Sequence, residues 1–207
     1  FISDTIVNTV SVSSPSDGHE TNIIDILVSW SANADSVGVD SYHVEVSKIL
    51  STFIPLEFAD TVDRLLTSDS VSNLYNDSYY WRVRAIDELG NVGPYSDTRG
   101  FVVDTDVDQV TLLLPADGHE TTLSTLAVSW TAVSVDSVGI DSYQVEVTND
   151  VAFSNSLLYH DTLDATNTTD SVTGLYNDSY FWRVRAVDEL GNIGPFTETR
   201  GFVSDTD

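Results

Sequence analysis

Residues 76–101 read NDSYYWRVRAIDELGNVGPYSDTRGF, and residues 177–202 repeat them as NDSYFWRVRAVDELGNIGPFTETRGF. The two 26-residue stretches differ at six positions, and every difference is conservative, as in the pair Tyr80 and Phe181. A repeat this long and this well preserved indicates tandem copies of one folded unit. The question for this chain is therefore what an array of such units is for.

Short segments with large apolar residues at every second position run through each copy. In the first copy they cover residues 26–30, 42–47 and 79–86, and they are rich in valine, isoleucine, tyrosine and tryptophan. This period is typical of half-buried antiparallel strands, and turn-forming clusters such as residues 14–18 separate the segments. No segment shows a sustained helical period. The sequence predicts an all-β chain of two tandem antiparallel β-sandwiches.

The repeat also predicts where the domains lie. The offset between copies is 100 residues from Trp30 to Trp130 and 101 residues from Tyr42 to Tyr143, a normal size for a single domain. Because the first residues of the chain align with the end of each copy, we expect an excerpt from a longer array. The expected segments are the end of a preceding repeat or linker at residues 1–6, repeat 1 at residues 7–104 and repeat 2 at residues 105–207.

The composition argues against several classes of partner. There are 33 acidic and 8 basic residues, which give a net charge of -25. Such a surface repels nucleic acids and anionic membranes, because both bind to basic surfaces. The chain has no cysteine, and it has no run of roughly 18 apolar residues. We therefore expect no disulfide framework and no direct membrane insertion of this segment.

Four motifs occur together in the second copy. They are an Asp-Thr linker at residues 104–105, a Pro-Ala-Asp-Gly opening at 115–118, the strand YFWRVRAVD at 180–188 and a Gly-Asn-Ile-Gly-Pro loop at 191–195. This combination resembles fibronectin type III domains, and more closely the fibronectin-III and immunoglobulin-like repeats of prokaryotic surface or secreted proteins. The resemblance covers both copies. It differs in the linker, where no proline follows Asp-Thr to stiffen the joint.

The resemblance implies specific roles for several strand residues. Tyr79 would form a tyrosine corner, with its hydroxyl bonded to the backbone at the crossover between strands E and F. Trp81 would lie in the core, and Glu45 on strand C would face Arg82 or Arg84 on strand F. These roles belong to sheet packing and not to catalysis.

The acidic loops offer one candidate site, a calcium ion at each joint between repeats. The resemblance places the B–C and F–G loops at the end of a domain that receives its linker. Calcium takes six to eight oxygen ligands, which carboxylates and amides supply. At the second joint the candidate ligands are Asp104, Asp106, Asp136, Asp141, Asp188, Glu189 and Asn192. At the first joint, where fewer acids are available, they are Asp4, Asp35, Asp40, Asp87, Glu88 and Asn91.

The same loop residues also suit a simpler role. Asp-Glu-Leu-Gly-Asn is good hairpin chemistry if its glycine and asparagine take positive φ, and residues 104–105 would then be a solvated linker. Several carboxylates converging without an ion would be costly, which favours the metal. The sequence leaves both interpretations open.

Other motifs give weaker evidence for a functional site. His-Glu at residues 19–20 and 119–120 is predicted to lie in a surface loop, without the second histidine of a zinc motif. No nucleophile elbow or phosphate loop is present, so we do not expect an enzyme. Asn76, Asn167 and Asn177 fit the glycosylation sequon, although Asn-Asp is equally a turn signal.

Together these observations predict spacer or stalk repeats of a long extracellular or cell-surface protein, with calcium stiffening the joints. The expected partners are neighbouring repeats of the same chain. One alternative is a self-assembling filament or adhesin repeat whose partners are other copies of the protein. A second alternative is a carbohydrate-binding accessory module of a secreted enzyme, which would use partly exposed aromatic residues.

Overall fold

Two β-sandwich units make up the part of the chain that the structure, a computed structural model, describes: residues 5–32 and 34–207. The units are Phe1–Thr105 and Asp106–Asp207. Their regular elements are all strands, as the alternating pattern predicts. No helix among the described residues is long and apolar enough to cross a membrane.

The described residues of unit 1 form two sheets from eight strands. A three-stranded sheet has the order β1-β3-β6, and a five-stranded sheet has the order β2-β8-β7-β4-β5. The strands are β1 (Val12–Ser14), β2 (His19–Thr21), β3 (Ile26–Trp30), β4 (Val39–Ser47), β5 (Phe58–Asp63), β6 (Ser68–Val71), β7 (Asp77–Asp87) and β8 (Arg99–Val103).

Unit 2 repeats this arrangement. Its sheets have the orders β14-β11-β9 and β10-β16-β15-β12-β13. The strands are β9 (Leu112–Leu114), β10 (His119–Thr121), β11 (Thr125–Trp130), β12 (Ile140–Thr148), β13 (Tyr159–Asp164), β14 (Thr169–Thr173), β15 (Asp178–Asp188) and β16 (Arg200–Ser204). The predicted pair of tandem β-sandwiches is confirmed.

One short strand in each unit departs from the antiparallel pattern. His19–Thr21 forms β2, which runs parallel to β8 with His19 opposite Phe101, and β10 pairs with β16 in the same way. The prediction of a surface loop for both His-Glu pairs was therefore wrong. The turn before β2 explains the difference: Gly18 has a φ of 73°, and its N–H donates to the carbonyl of Gly100 at 2.8 Å, which brings the chain alongside β8.

The longest strand carries the core of each unit. In β7, Tyr79, Trp81, Val83 and Ala85 are buried and alternate with partly exposed residues, because successive side chains of a strand point to opposite faces. Trp81 is fully buried, as expected. Burying each large aromatic side chain removes on the order of 200 Å² from water, so these residues dominate the stability of the sandwich.

The tyrosine corner that the resemblance implies is present. The Tyr79 hydroxyl donates to the carbonyl of Tyr75 at 2.9 Å and accepts from the Tyr75 N–H at 3.0 Å. Tyr180 makes the same pair of bonds with Tyr176 in unit 2, at 3.4 and 3.0 Å. Both crossovers into the long strands, β7 and β15, are thus anchored to the strands that follow them.

Candidate functional site

In unit 2 the F–G loop follows β15 and is organised around Asp188. Its Oδ1 accepts from the N–H groups of Leu190, at 3.0 Å, and Asn192, at 2.7 Å, and its Oδ2 accepts from Asn192 Nδ2 at 2.7 Å. Asp188 is 1% exposed. The loop therefore holds the carboxylate in place, while Oδ2 keeps one lone pair for a further partner.

The B–C loop places a second carboxylate beside the first. Asp136 Oδ1 accepts from the N–H groups of Val138, at 3.2 Å, and Gly139, at 2.9 Å. Gly139 has a φ of 97°, and its carbonyl accepts from Glu189 N at 3.0 Å, which ties the two loops together. As a result, a carboxylate oxygen of Asp136 and one of Asp188 lie within 4.8 Å of each other.

This spacing fits a calcium ion. Two oxygens bound to one Ca²⁺ at about 2.3–2.6 Å each are at most about 5 Å apart. The donors are hard oxygen ligands, of the kind that Ca²⁺ prefers, and two adjacent carboxylates repel each other unless a cation or a proton compensates. Asp136 and Asp188 are therefore the part of the predicted set that unit 2 by itself brings together.

The other predicted ligands of the second joint have different surroundings. Asp141 and Glu189 are exposed, and Asn192 donates a hydrogen bond from its side-chain amide to Asp188. Asp104 and Asp106 belong to the connection between the units, where Asp104 is buried and Asp106 is exposed. Their part in a shared site stays a prediction.

Unit 1 has the same loop around Asp87. Its carboxylate accepts from Leu89 N at 2.9 Å, Asn91 N at 2.7 Å and Asn91 Nδ2 at 2.7 Å. Burial would raise the pKa of Asp87, but the hydrogen bonds from Asn91, Leu89 and Gly90 outweigh it, so the pKa is lowered. The Asp87 carboxylate is therefore held in its charged form.

Among the other residues predicted for the first joint, Glu88 is already paired with a cationic side chain. The Glu88 carboxylate forms an ion pair with Arg64 at 2.6 Å. In unit 2 the residue equivalent to Arg64 is Ala165. The two residues correspond because Arg64 N donates to the carbonyl of Asp40 and Ala165 N donates to the carbonyl of Asp141. Three further predicted ligands remain: Asp35, which is half-buried, Asp40, which is exposed, and Asp4, which lies outside the described residues.

The hairpin interpretation of these loops holds for the glycine and fails for the asparagine. Gly90 and Gly191 have φ values of 84° and 82°, whereas Asn91 and Asn192 are not among the described residues with positive φ. The asparagine instead donates its side-chain amide to the aspartate four residues before it. The loop is thus a hairpin that also fixes a carboxylate.

The three sequon asparagines lie at turns. The side-chain carbonyl of Asn76 accepts from Thr105 N at 2.9 Å, and that of Asn177 accepts from the Thr206 hydroxyl at 2.9 Å. Asn167 is exposed between β13 and β14. Glycosylation at all three positions stays a prediction.

Sequence reasoning missed an arginine–aromatic stack on the outer face of the larger sheet. The Arg82 guanidinium lies 4.0 Å from the centre of the Phe53 ring and 3.7 Å from that of Tyr95. Arg183 lies between Phe153 and Phe196 in the same way, at 3.9 and 3.8 Å. The sequence contained a signal for this stack, because Phe53 and Phe153 are the same residue type inside loops that otherwise differ between the two copies.

Comparison with known proteins bears on the fold alone. No protein-family model and no curated protein matches the sequence. One similar solved structure is that of the FN1–FN3 domains of chicken CNTN1, at 15% identity and a TM-score of 0.45, covering 98% of this chain and 67% of that one. Another is that of the fibronectin(III)-like modules of Clostridium thermocellum CbhA, at 17% identity and a TM-score of 0.41, covering 95% of each chain.

Because these similarities are weak, the fold is assigned from the strand order. Each unit has a three-stranded sheet facing a larger sheet with the long strand at its centre, and each has a tyrosine corner at the start of that strand. This arrangement agrees with the resemblance drawn from the motifs. Each unit of the chain has the fold of a fibronectin type III domain.

Proposed function

We propose that the chain is a segment of spacer repeats in a long extracellular or cell-surface protein, and that calcium stiffens the joint between its repeats. The two units act as structural modules that separate and present other parts of the protein. The calcium ion takes Asp136 and Asp188 of unit 2 as ligands, together with the linker carboxylate of Asp104.

The observation that supports this proposal is that both units form the same ion pair inside the larger sheet. Arg82 pairs with Glu45 at 2.7 Å, and Arg183 pairs with Glu146 at 2.7 Å. Such cross-strand pairs stabilise a sheet. The two copies repeat these bonds at equivalent positions. This repetition favours a structural role, in which each copy serves as a stable folded module.

The calcium part of the proposal predicts a thermal shift. We expect Ca²⁺ to raise the melting temperature relative to a chelator at matched ionic strength, because a ligand that binds only the folded state stabilises it. At a roughly 100-fold excess over Kd the gain is about 2.7 kcal/mol, and each kcal/mol raises the midpoint of a domain this size by roughly 4–8 °C. Differential scanning calorimetry measures the shift, and light scattering in the same samples detects any assembly.

Two variants make the test specific. Asp136→Asn keeps an oxygen for the B–C turn but removes a charged ligand, so the calcium shift should disappear. Asp161→Asn removes the same charge from an exposed position on β13 and should leave the shift intact. Equal shifts in both variants and in the parent chain would show that calcium acts by general screening, and the joint site would be wrong.

Stiffening has its own readout. Small-angle X-ray scattering should give a narrower distribution of chain dimensions with Ca²⁺ than with chelator. If the melting temperature rises and the distribution does not narrow, calcium binds without acting on the joint.

A further inference from the structure

Unit 2 contains a cavity of about 340 Å³ at the end of the sandwich near the crossover into β15. Val147, Val172 and Leu175 line it with buried apolar surface. Asn149 and Asp178 contribute polar groups, and both are exposed. The cavity therefore combines an apolar wall with a carboxylate at its edge.

Unit 1 fills the equivalent position with its own lysine. Lys48 directly follows β4, as Asn149 directly follows β12. The Lys48 ammonium lies 3.0 Å from Asp77 Oδ2 and 5.4 Å from the centre of the Tyr79 ring. A hydrogen bond from Lys48 to Asp77 raises the pKa of the lysine, which keeps the ammonium charged.

Unit 2 keeps the groups that hold this ammonium and lacks the lysine. Asp178 and Tyr180 are the counterparts of Asp77 and Tyr79 at the start of the long strand, and both line the cavity. Asn149 is too short to reach over the ring, and its Nδ2 donates to Asp178 Oδ2 at 3.1 Å. Both tyrosines are buried: Tyr180 is 5% exposed and Tyr79 is 1% exposed.

A second substitution makes the cavity wall more apolar. Glu57 N donates to the carbonyl of Val46 in unit 1, and Leu158 N donates to the carbonyl of Val147 in unit 2, so Leu158 replaces Glu57. Leu158 lines the cavity. A methylene chain leading to the carboxylate would therefore contact apolar surface in unit 2.

We propose that this cavity binds a primary alkylammonium group, in the way that unit 1 holds the ammonium of Lys48. The Asp178 carboxylate accepts hydrogen bonds from the ammonium, the Tyr180 ring contacts it as an aromatic face, and the apolar wall packs against the alkyl chain. A carboxylate oxygen has two lone pairs, so the bond from Asn149 leaves room for the ammonium.

The chain itself offers no second lysine for this site. Lys48 is the single lysine in the sequence, and its ammonium pairs with Asp77 of its own unit. The net charge of -25 also attracts cationic ligands. The ligand is therefore either a free alkyl amine or a lysine side chain from outside this segment, and the experiment separates these sources.

The test is an NMR titration of the ¹⁵N-labelled full chain with 1,5-diaminopentane at constant ionic strength. We expect saturable shifts of the amides of residues 173–180, with a Kd on the order of 1–10 mM for so few contacts. Residues 72–79 of unit 1 should not move, because Lys48 already occupies that position. 1-Pentanol has the same chain without a charge and should not produce the saturable shifts.

Three variants give reciprocal outcomes. Asp178→Asn should weaken binding roughly tenfold or more, since the charged acceptor of the ammonium is replaced by a neutral amide. Asn149→Lys should abolish binding by supplying the ammonium within unit 2. Lys48→Asn should create a second site, with new shifts at residues 72–79.

A second arm uses the amide of Nα-acetyl-lysine as a probe. Binding of both probes supports the site with a lysine side chain from outside this segment as its ligand, whereas binding of the diamine alone supports a site for free amines. No saturable shift with either probe would overturn the proposal. So would undiminished binding by the Asp178→Asn variant, because the carboxylate would then have no role.

Discussion

At the scale of residues, Glu45 connects side chains on the outer face of the larger sheet in unit 1. It is 8% exposed, and its carboxylate accepts from Arg82 Nη2 at 2.7 Å and from the Tyr95 hydroxyl at 2.6 Å. Burial would raise the pKa of Glu45, but the hydrogen bonds from Tyr95 and Arg82 outweigh it, so the pKa is lowered. The charged form of Glu45 is thus part of the folded structure.

Replacing this carboxylate should destabilise unit 1 selectively. At pH 7 we expect Glu45→Gln to lower the free energy of unfolding of unit 1 by about 1–3 kcal/mol, because the bonds from Arg82 and Tyr95 lose their charged acceptor. Urea unfolding followed by NMR signals of unit 1 measures the loss. Unit 2 keeps its Glu146–Arg183 pair, so its transition is the internal control and should not move.

The same variant gives a pH dependence with a defined sign. Since the pKa of Glu45 is lower in the folded state than its ordinary value of 4.5, the stability it contributes is fully present above that value. It is lost as the pH falls through the folded-state pKa. The difference between the parent chain and Glu45→Gln should therefore shrink below about pH 4.5. A difference that stays constant down to pH 2 would mean that the charge of Glu45 contributes nothing.

At the scale of elements, a side-chain hydroxyl helps to join the irregular segment before β8 to β7. The Ser96 hydroxyl accepts from Val83 N at 3.1 Å, inside the protein, while Ser96 N donates to the carbonyl of Val83 at 2.8 Å. Thr197 makes the same two bonds with Val184 in unit 2. The hydroxyl continues the hydrogen bonding of the sheet where the chain is not yet a strand.

This segment predicts a contrast between two substitutions. Ser96→Ala leaves the buried N–H of Val83 without its acceptor and should cost about 1–3 kcal/mol of stability. Ser96→Thr keeps the hydroxyl, as the second copy does, and should change the stability of unit 1 by less than about 0.5 kcal/mol. Chemical denaturation of both variants measures the contrast. Equal stability of the two would show that the hydroxyl is dispensable.

At the scale of the whole molecule, charge repulsion is the main electrostatic effect. The sequence has 33 acidic and 8 basic residues. The described ion pairs use several of the basic residues, among them Arg82, Arg183 and Lys48. The many surface carboxylates repel one another, and this repulsion destabilises the folded state at low ionic strength.

Salt should therefore stabilise this protein. Raising NaCl from about 10 mM to about 500 mM shortens the Debye length from about 30 Å to a few ångströms, and the melting temperature should rise by several degrees. Surface ion pairs weaken in salt as well, but each contributes at most about 1 kcal/mol, and they are far outnumbered by unpaired acids. Calorimetry in NaCl and in KCl measures the effect. A melting temperature that falls with salt would show that the ion pairs dominate.

The alternating pattern predicted the sandwich fold and the buried face of each long strand, and the resemblance to fibronectin type III domains implied the tyrosine corner. Burial in a strand follows a local period of two, which any stretch of sequence displays. The resemblance implied a bond from the Tyr79 hydroxyl to the backbone, and the structure shows that the acceptor is the carbonyl of Tyr75. The acidic loops and their hairpin glycines were predicted from local turn signals.

Which distant groups meet depends on the tertiary structure. The register of β4 on β7 places Glu45 opposite Arg82 and His43 opposite Arg84, and the sequence permitted either arginine as the partner of Glu45. The parallel pairing of β2 with β8 and the stacking of Arg82 on the Phe53 ring also depend on contacts between residues far apart in the chain. Such contacts depend on register and loop path, and neither follows from a local pattern.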